Sequence, residues 1–205
     1  MSKKFIVTGI GTEVGKTIAS AILVHLLSGD YWKPIECGNE EEKDSKIMKK
    51  LIDPRLHTVY PPAYSLQMPV SPHQAARAEN VVIEPKKIYL PKTEKPLIIE
   101  TAGGLMVPLN QKILNIDLFQ LWEAAWILVS RHYLGSINHT LLTVDQLKTR
   151  GVNILGLIFN GLPQKDTEEA ILSFTQLPLL GRLLPEQKIE SSIIKKYAFL
   201  WKASF

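Results

Sequence analysis

The feature that most constrains this chain is residues 5–17, which read Phe-Ile-Val-Thr-Gly-Ile-Gly-Thr-Glu-Val-Gly-Lys-Thr. Residues 5–8 predict a short buried strand. Glycines follow, then Gly15-Lys16-Thr17, then an apolar stretch from Ile18 to Val24 that predicts a helix packed close to the strand. Strand, glycine-rich loop, Gly-Lys-Thr and helix are the parts of a phosphate-binding loop. In such a loop backbone N–H groups turn inward on the phosphates, and the helix N-terminus adds its dipole. Lys16 would neutralise β- and γ-phosphate charge, and the Thr17 hydroxyl would ligate Mg²⁺. The spacing is unusual. Five residues separate Gly9 from Gly15 and three separate Gly11 from Gly15, where the common pattern has four. The bland alternative is a glycine-rich turn that binds nothing. Lys-Thr at a helix start, straight after a strand, argues against it. A related loop carries a second lysine near its first glycine and uses it across a dimer; Ile10 and Gly11 hold those places here.

With 205 residues, 45% of them hydrophobic, the chain suits one globular domain spanning residues 1–205. The net charge of +4 is a mild excess, partly from Lys188, Lys195, Lys196 and Lys202 near the C-terminus. Phosphate-handling enzymes are often basic, so this is weak support for nucleic acid, and no nucleic-acid partner is expected. One cysteine excludes an internal disulfide and fits a reducing compartment. No signal peptide fits before the first strand, and no apolar run would span a bilayer. These features predict a cytoplasmic protein without a membrane partner.

Strands alternate with helices along the chain. Gly29-Asp30 predicts a helix stop, residues 31–35 a short strand, residues 46–52 a helix ended by Asp53-Pro54. Residues 54–96 are proline-rich and irregular, apart from a helix start at Ser71-Pro72. Apolar runs at 96–100, 124–129, 152–160 and 179–183 predict further strands. Residues 134–139 predict a turn into a helix over 140–149. A helix covers about 167–176, and another ends the chain. The pattern predicts an α/β fold: a mostly parallel, doubly wound sheet with helices on both faces, as in P-loop NTPases. The ligand belongs at the C-terminal ends of the strands.

Candidate functional positions follow those ends. Glu100 closes an apolar strand, where a carboxylate suits Mg²⁺; the alternative is a strand-end acid capping Gly103 and Gly104. Those glycines would let backbone approach a ligand closely. Asp44 is one of five acids between residues 36 and 44, and read alone it belongs to a solvated face. Lys33, before Pro34, is either a surface charge or a cation that meets transferring phosphate. Asn160 ends a strand and is followed by Gly-Leu-Pro, which excludes the Asn-Lys-x-Asp guanine signature. It would pair with an adenine edge or simply start a turn. No zinc spacing and no Ser/His/Asp arrangement stands out.

Taken together, the residues resemble the dethiobiotin synthetases, the ATP-dependent ring-closing family late in biotin biosynthesis. The resemblance runs essentially end to end. It rests on Thr12-Glu13-Val14-Gly15-Lys16-Thr17, Lys33-Pro34-Ile35 with Gly38, Asp44, Ser71-Pro72-His73, Glu100 with Ala102-Gly103-Gly104, Leu134-Gly135 with Ile137-Asn138-His139, Asn160, and Pro178-Leu179-Leu180-Gly181. It implies that 7,8-diaminopelargonate takes up CO₂ (from bicarbonate) as a carbamate. ATP then phosphorylates the carbamate, and the second amine closes the ring. By this resemblance Thr17, Asp44 and Glu100 hold Mg²⁺, and Lys33 and Lys16 are catalytic. Glu13, Val14, Gly15, Lys16, Thr17, Ile18 and Gly103 surround the ATP phosphates, with Asn160 by the adenine. Lys33, Cys37, Gly135, Ser136, Ile137 and Asn138 meet the substrate, the last four from the other subunit of a homodimer. Three departures stand out. Cys37 replaces the usual Thr or Ser and offers only a weak S–H donor. Tyr133 replaces a common lysine, with Arg131 nearby. The segment around Leu184-Pro185-Glu186 matches loosely.

Two rivals share the fold. A partition or septum-site switch ATPase would use the lysine absent at Ile10 and Gly11. In its favour Ile193, Ile194, Tyr197, Ala198 and Trp201 form an apolar helical stripe beside Lys195, Lys196 and Lys202, which suits either a membrane or the core. An amidoligase or small-molecule kinase would lack the combination of Lys33 with residues 135–139.

Overall fold

A computed structural model describes residues 3–205. Its core is a parallel sheet built from β1 (Lys4–Gly9), β2 (Asp30–Trp32), β4 (Val59–Tyr60), β6 (Leu97–Gly104), β7 (Ala125–Arg131), β8 (Asn153–Asn160) and β9 (Leu179–Leu183), in the order β4-β2-β6-β1-β7-β8-β9. A second, two-stranded sheet pairs β3 (Ile35–Cys37) with β5 (Tyr64–Leu66). The helices are α1 (Lys16–Leu26), α2 (Asp44–Leu51), α3 (Pro72–Ala78), α4 (Asn115–Phe119), α5 (Ser136–Thr149), α6 (Lys165–Thr175) and α7 (Ser191–Trp201).

Apolar runs, rather than alternating patterns, form these strands because both faces are covered. Along β1, Phe5 and Val7 join a cluster with α1, α2 and α7. Ile6, between them, faces the other way, into a cluster with α3, α4 and the second sheet. Leu128, Leu157 and Phe159 pack under α5 and α6. The chain leaves β1 towards β2 on one side and reaches β7 and β8 on the other. The strand order reverses at β1, so its C-terminal end opens into a crevice.

Several boundaries differ from the sequence reading, each for a local reason. The strand expected over 31–35 is two strands in two sheets. Pro34 has no N–H to give the β2–β6 ladder. Its carbonyl instead accepts the N–H groups of Ala63 and Tyr64, at 2.9 and 3.0 Å, so β3 leaves for the second sheet. Lys33 lies at that jog, buried. Gly103 and Gly104 are the end of β6 rather than a loop after it. The fifth helix begins at Ser136, capped by Gly135 in a left-handed conformation, four residues before the expected start at 140. Ser71 precedes Pro72 as expected, but its hydroxyl meets the side chains of His73 and Gln74 rather than capping the backbone.

The C-terminal helix docks on the core. Ile194, Tyr197, Ala198 and Trp201 are buried in the α1 cluster, with Ile193 against its edge. The stripe that suits a membrane in sequence is occupied by packing. No helix among the described residues is long and apolar enough to cross a membrane. Trp201 lies so close to Gly181 that a Cβ there would sit 2.3 Å from its indole ring. Truncating Trp201 to Ala leaves a large cavity between α7 and β9. We predict a loss of about 3–5 kcal/mol in urea unfolding.

Candidate active site

The phosphate-loop stretch runs from the end of β1 to the start of α1. Gly15 caps α1 with φ +95°, and a Cβ there would sit 2.5 Å from the Asn160 amide nitrogen, so both backbone and space require glycine. Asn160 donates from that nitrogen to the Val14 carbonyl at 2.9 Å, which ties the end of β8 to the loop. Glu13 has φ +54°, a strained value for a residue with a side chain. Its carbonyl accepts a bond from Arg131 Nη1 at 3.1 Å. A cavity of about 400 Å³ separates residues 11–14 of the loop from residues 131–133. On the far side Gly103 faces Thr12 and Gly104 faces Gly11, where Cβ atoms would lie 3.4 and 3.5 Å away.

Below the loop, four elements meet in a buried polar cluster. Lys33 Nζ, from the end of β2, bonds Asp44 Oδ2 and lies 3.0 Å from Glu100 Oε1. Thr17 Oγ1 sits 2.5 Å from Asp44 Oδ1, to which it donates, and 3.0 Å from Glu100 Oε1. Tyr31 donates to Glu100 Oε2 at 3.0 Å. Lys16 Nζ donates to the Gly11 carbonyl at 3.0 Å and so curls back over its own loop.

The charges hold one another in place. Burial alone would lower the Lys33 pKa, but Glu100 and Asp44 more than offset this and hold it above the ordinary lysine value. Lys33 therefore stays an ammonium. Burial would raise Asp44, yet Lys33 beside it leaves the carboxyl below its usual range. Lys16, buried and facing the like charge of Lys33, is lowered to about 8. Burial and the Glu100 charge push the Tyr31 phenol well up, so it remains a donor.

The donors Thr17, Asp44 and Glu100 are a hydroxyl and two carboxylates, all hard oxygens. Two carboxylates are what Mg²⁺ takes from a protein when nucleotide phosphates and water complete its octahedron. Among the described residues no group of three His, Cys, Asp or Glu side chains gathers. The donor set fits Mg²⁺.

Other expected site residues lie apart from this cluster. Cys37 ends β3, half-buried, with its thiol pushed up to about 11 by burial. Gly135, Ser136, Ile137 and Asn138 cap and open α5, and among the described residues no hydrogen bond joins their side chains to the Lys33 cluster. The Ser136 hydroxyl is buried without a partner. Sequence reasoning missed Tyr31 and the Arg131–Glu13 contact. A tyrosine in a buried strand needs a partner for its hydroxyl, and that unused signal was the one available for Tyr31.

Fold and loop together define the class, a P-loop nucleotide-binding α/β protein. Solved structures agree on the fold. A putative plasmid partition protein of Borrelia burgdorferi bound to AMPPNP matches with TM-score 0.62 at 14% identity, covering all of this chain and 97% of that one. The septum site-determining protein MinD of Pyrococcus horikoshii, complexed with Mg-ADP, matches at 0.59 and 16%, covering 98% and 86%. At such identities the likeness concerns fold alone. A family model described as an AAA domain matches residues 3–192. The ATP-dependent dethiobiotin synthetase BioD of Chlamydia pneumoniae is 48% identical over 200 residues, 98% of this chain and 90% of the relative. That of Christiangramia forsetii is 47% identical over 198 residues, 97% and 95%. The chain belongs to the dethiobiotin synthetase family, and it is an ATP-dependent ligase of the ring-closing kind.

The Tyr31–Glu100 bond is testable through stability. Tyr31→Phe leaves one carboxylate oxygen of Glu100 buried without its donor. We predict a loss of about 1–3 kcal/mol in chemical denaturation, with secondary structure unchanged by circular dichroism.

Proposed function

We propose that this enzyme joins CO₂ to 7,8-diaminopelargonate and closes the cyclic urea of dethiobiotin, converting ATP to ADP and phosphate. The observation that carries this reading is the buried contact of Lys33 with Asp44 and Glu100, directly beside the phosphate loop. The reaction brings together two anions, a carbamate on one substrate amine and the γ-phosphate of ATP. Their approach needs positive charge at fixed positions. Lys16 and Lys33 are both buried, the first bonded to the loop at Gly11 and the second to the carboxylates that meet Thr17. Lys33 would hold the carbamate oxygen as it attacks the γ-phosphorus. The resulting carbamic–phosphoric anhydride is then attacked at carbon by the second amine. The ring closes, and phosphate leaves with the P–O bond intact.

Thr17, Asp44 and Glu100 would hold Mg²⁺, which when bound neutralises charge on the β- and γ-phosphates. Glu13, Val14, Gly15 and Ile18 would line the phosphates, with Gly103 admitting them closely from β6. Asn160 uses one amide hydrogen on the loop and has its carbonyl and other hydrogen to offer the adenine. Cys37 would face the substrate, where its half-buried, protonated thiol is a donor rather than a nucleophile. Gly135, Ser136, Ile137 and Asn138 present the N-terminus of α5, a 14-residue helix whose free N–H groups suit a carboxylate. We assign them to the substrate carboxylate of the other subunit in a homodimer. We place the enzyme in the cytoplasm, as one domain.

The decisive assay measures phosphate release from MgATP with bicarbonate, with and without the diamine, and follows dethiobiotin by mass. Phosphate and dethiobiotin should appear together and only when the diamine is present. Phosphate release indifferent to the diamine would contradict the reading. Lys33→Ala and Lys16→Ala should each lower kcat/KM by at least about a hundredfold. Circular dichroism matching the parent would show that the fold survives.

A further inference from the structure

Asp44 stands in the Lys33 cluster, but nothing in its own helix fixes it there. It is the first residue of α2, whose cap position, Lys43, makes no side-chain capping bond. First-turn N–H groups without a cap fray easily. The missing cap comes from another element. Glu36, in the middle of β3 and 2% exposed, accepts the Ser45 N–H at 2.7 Å and the Ser45 hydroxyl at 2.8 Å.

A second tie lies beside it. Ser65 of β5 is the register partner of Glu36 in the two-stranded sheet. Its hydroxyl accepts a bond at 2.6 Å from Lys43, which is itself buried. Residues directly opposite in paired strands project to one face. One cross-strand pair therefore grips the residue before Asp44 and the residue after it. The side chain between them reaches Thr17 and Lys33.

We propose that Glu36, with Ser65 beside it, is a positioning residue for Asp44, holding its carboxylate where it can serve a divalent cation on the nucleotide. The proposal rests on the reading of Asp44 as a metal ligand. Groups that orient ligands from behind change metal affinity by about 10–100-fold when removed. Both Glu36 carboxylate oxygens are engaged by Ser45, so its loss should alter cation dependence more than the rate at saturating cation.

The test measures Mn²⁺ binding by electron paramagnetic resonance in the presence of a non-hydrolysable ATP analogue. It compares the parent with Glu36→Ala, Glu36→Gln, Ser45→Ala and Asp44→Asn. Glu36→Ala should weaken Mn²⁺ binding about tenfold, and Glu36→Gln, which keeps an acceptor for the Ser45 N–H, only about threefold. In turnover assays the half-saturating Mg²⁺ concentration of Glu36→Ala should rise in step, with kcat at saturating Mg²⁺ within about threefold of the parent. A folded Glu36→Ala protein that binds Mn²⁺ like the parent overturns the proposal. If Glu36→Ala does not fold, Ser45→Ala reads the same tie. It removes one of the two bonds and should weaken Mn²⁺ about threefold, and parental binding there overturns the proposal. Parental binding by Asp44→Asn would instead show that Asp44 is no ligand, so the reading beneath the proposal fails first.

Discussion

The structure turns on one buried ammonium. Lys33 Nζ lies between Asp44 and Glu100, and both carboxylates also meet the Thr17 hydroxyl. Burying one ion of such a set alone would be strongly unfavourable; two carboxylates opposed by Lys33 and Lys16 leave the charge nearly balanced. Lys33 directly follows β2, Glu100 lies midway along β6, and Thr17 and Asp44 stand at the starts of α1 and α2. The winding of the parallel sheet brings these four residues, from four separate elements, into one cluster. The arrangement also suits exchange of partners. Oxygen atoms that now accept from lysine and threonine are the ones that would face a divalent cation and its phosphates.

The small second sheet solves a placement problem. A lysine at a strand end normally points to solvent. Here Pro34 ends the β2 ladder, the chain steps sideways into β3, and Lys33 is left buried at the step. The same step delivers Glu36 to the start of α2. The proline after Lys33 is thus a structural instruction: it sets where the cation stands and which strand carries the cap of α2.

Much of this was legible in the sequence, and the rest has physical reasons for being hidden. The doubly wound sheet followed from apolar runs alternating with helical stretches. The loop followed from Gly15-Lys16-Thr17 after a strand. Lys33 drew attention because it follows a strand, where ligands gather in such folds. Glu100 drew attention as a strand-closing acid, but β6 continues past it to Gly104, because the small residues after it stay in the ladder with β1. Asp44 was not distinguishable by itself. Four other acids lie between residues 36 and 44, and only tertiary contact selects it, with Glu36 turned to a different task. The strands β4 and β5 and the helix α4 are two, three and five residues long, too short to show a period. The start of α5 was placed late because residues 136–139 read as a polar turn; the left-handed Gly135 caps a helix there.

The central claim is that the Lys33 cluster is where nucleotide, cation and substrate charge converge. Anomalous diffraction from crystals grown with Mn²⁺ and a non-hydrolysable ATP analogue tests it most directly. The account predicts a single strong peak in contact with the Thr17 hydroxyl, with Asp44 and Glu100 bound directly or through one water, and Lys33 turned towards the γ-phosphate. A peak away from these three residues, or Lys33 turned away from the γ-phosphate with the nucleotide bound, would contradict it.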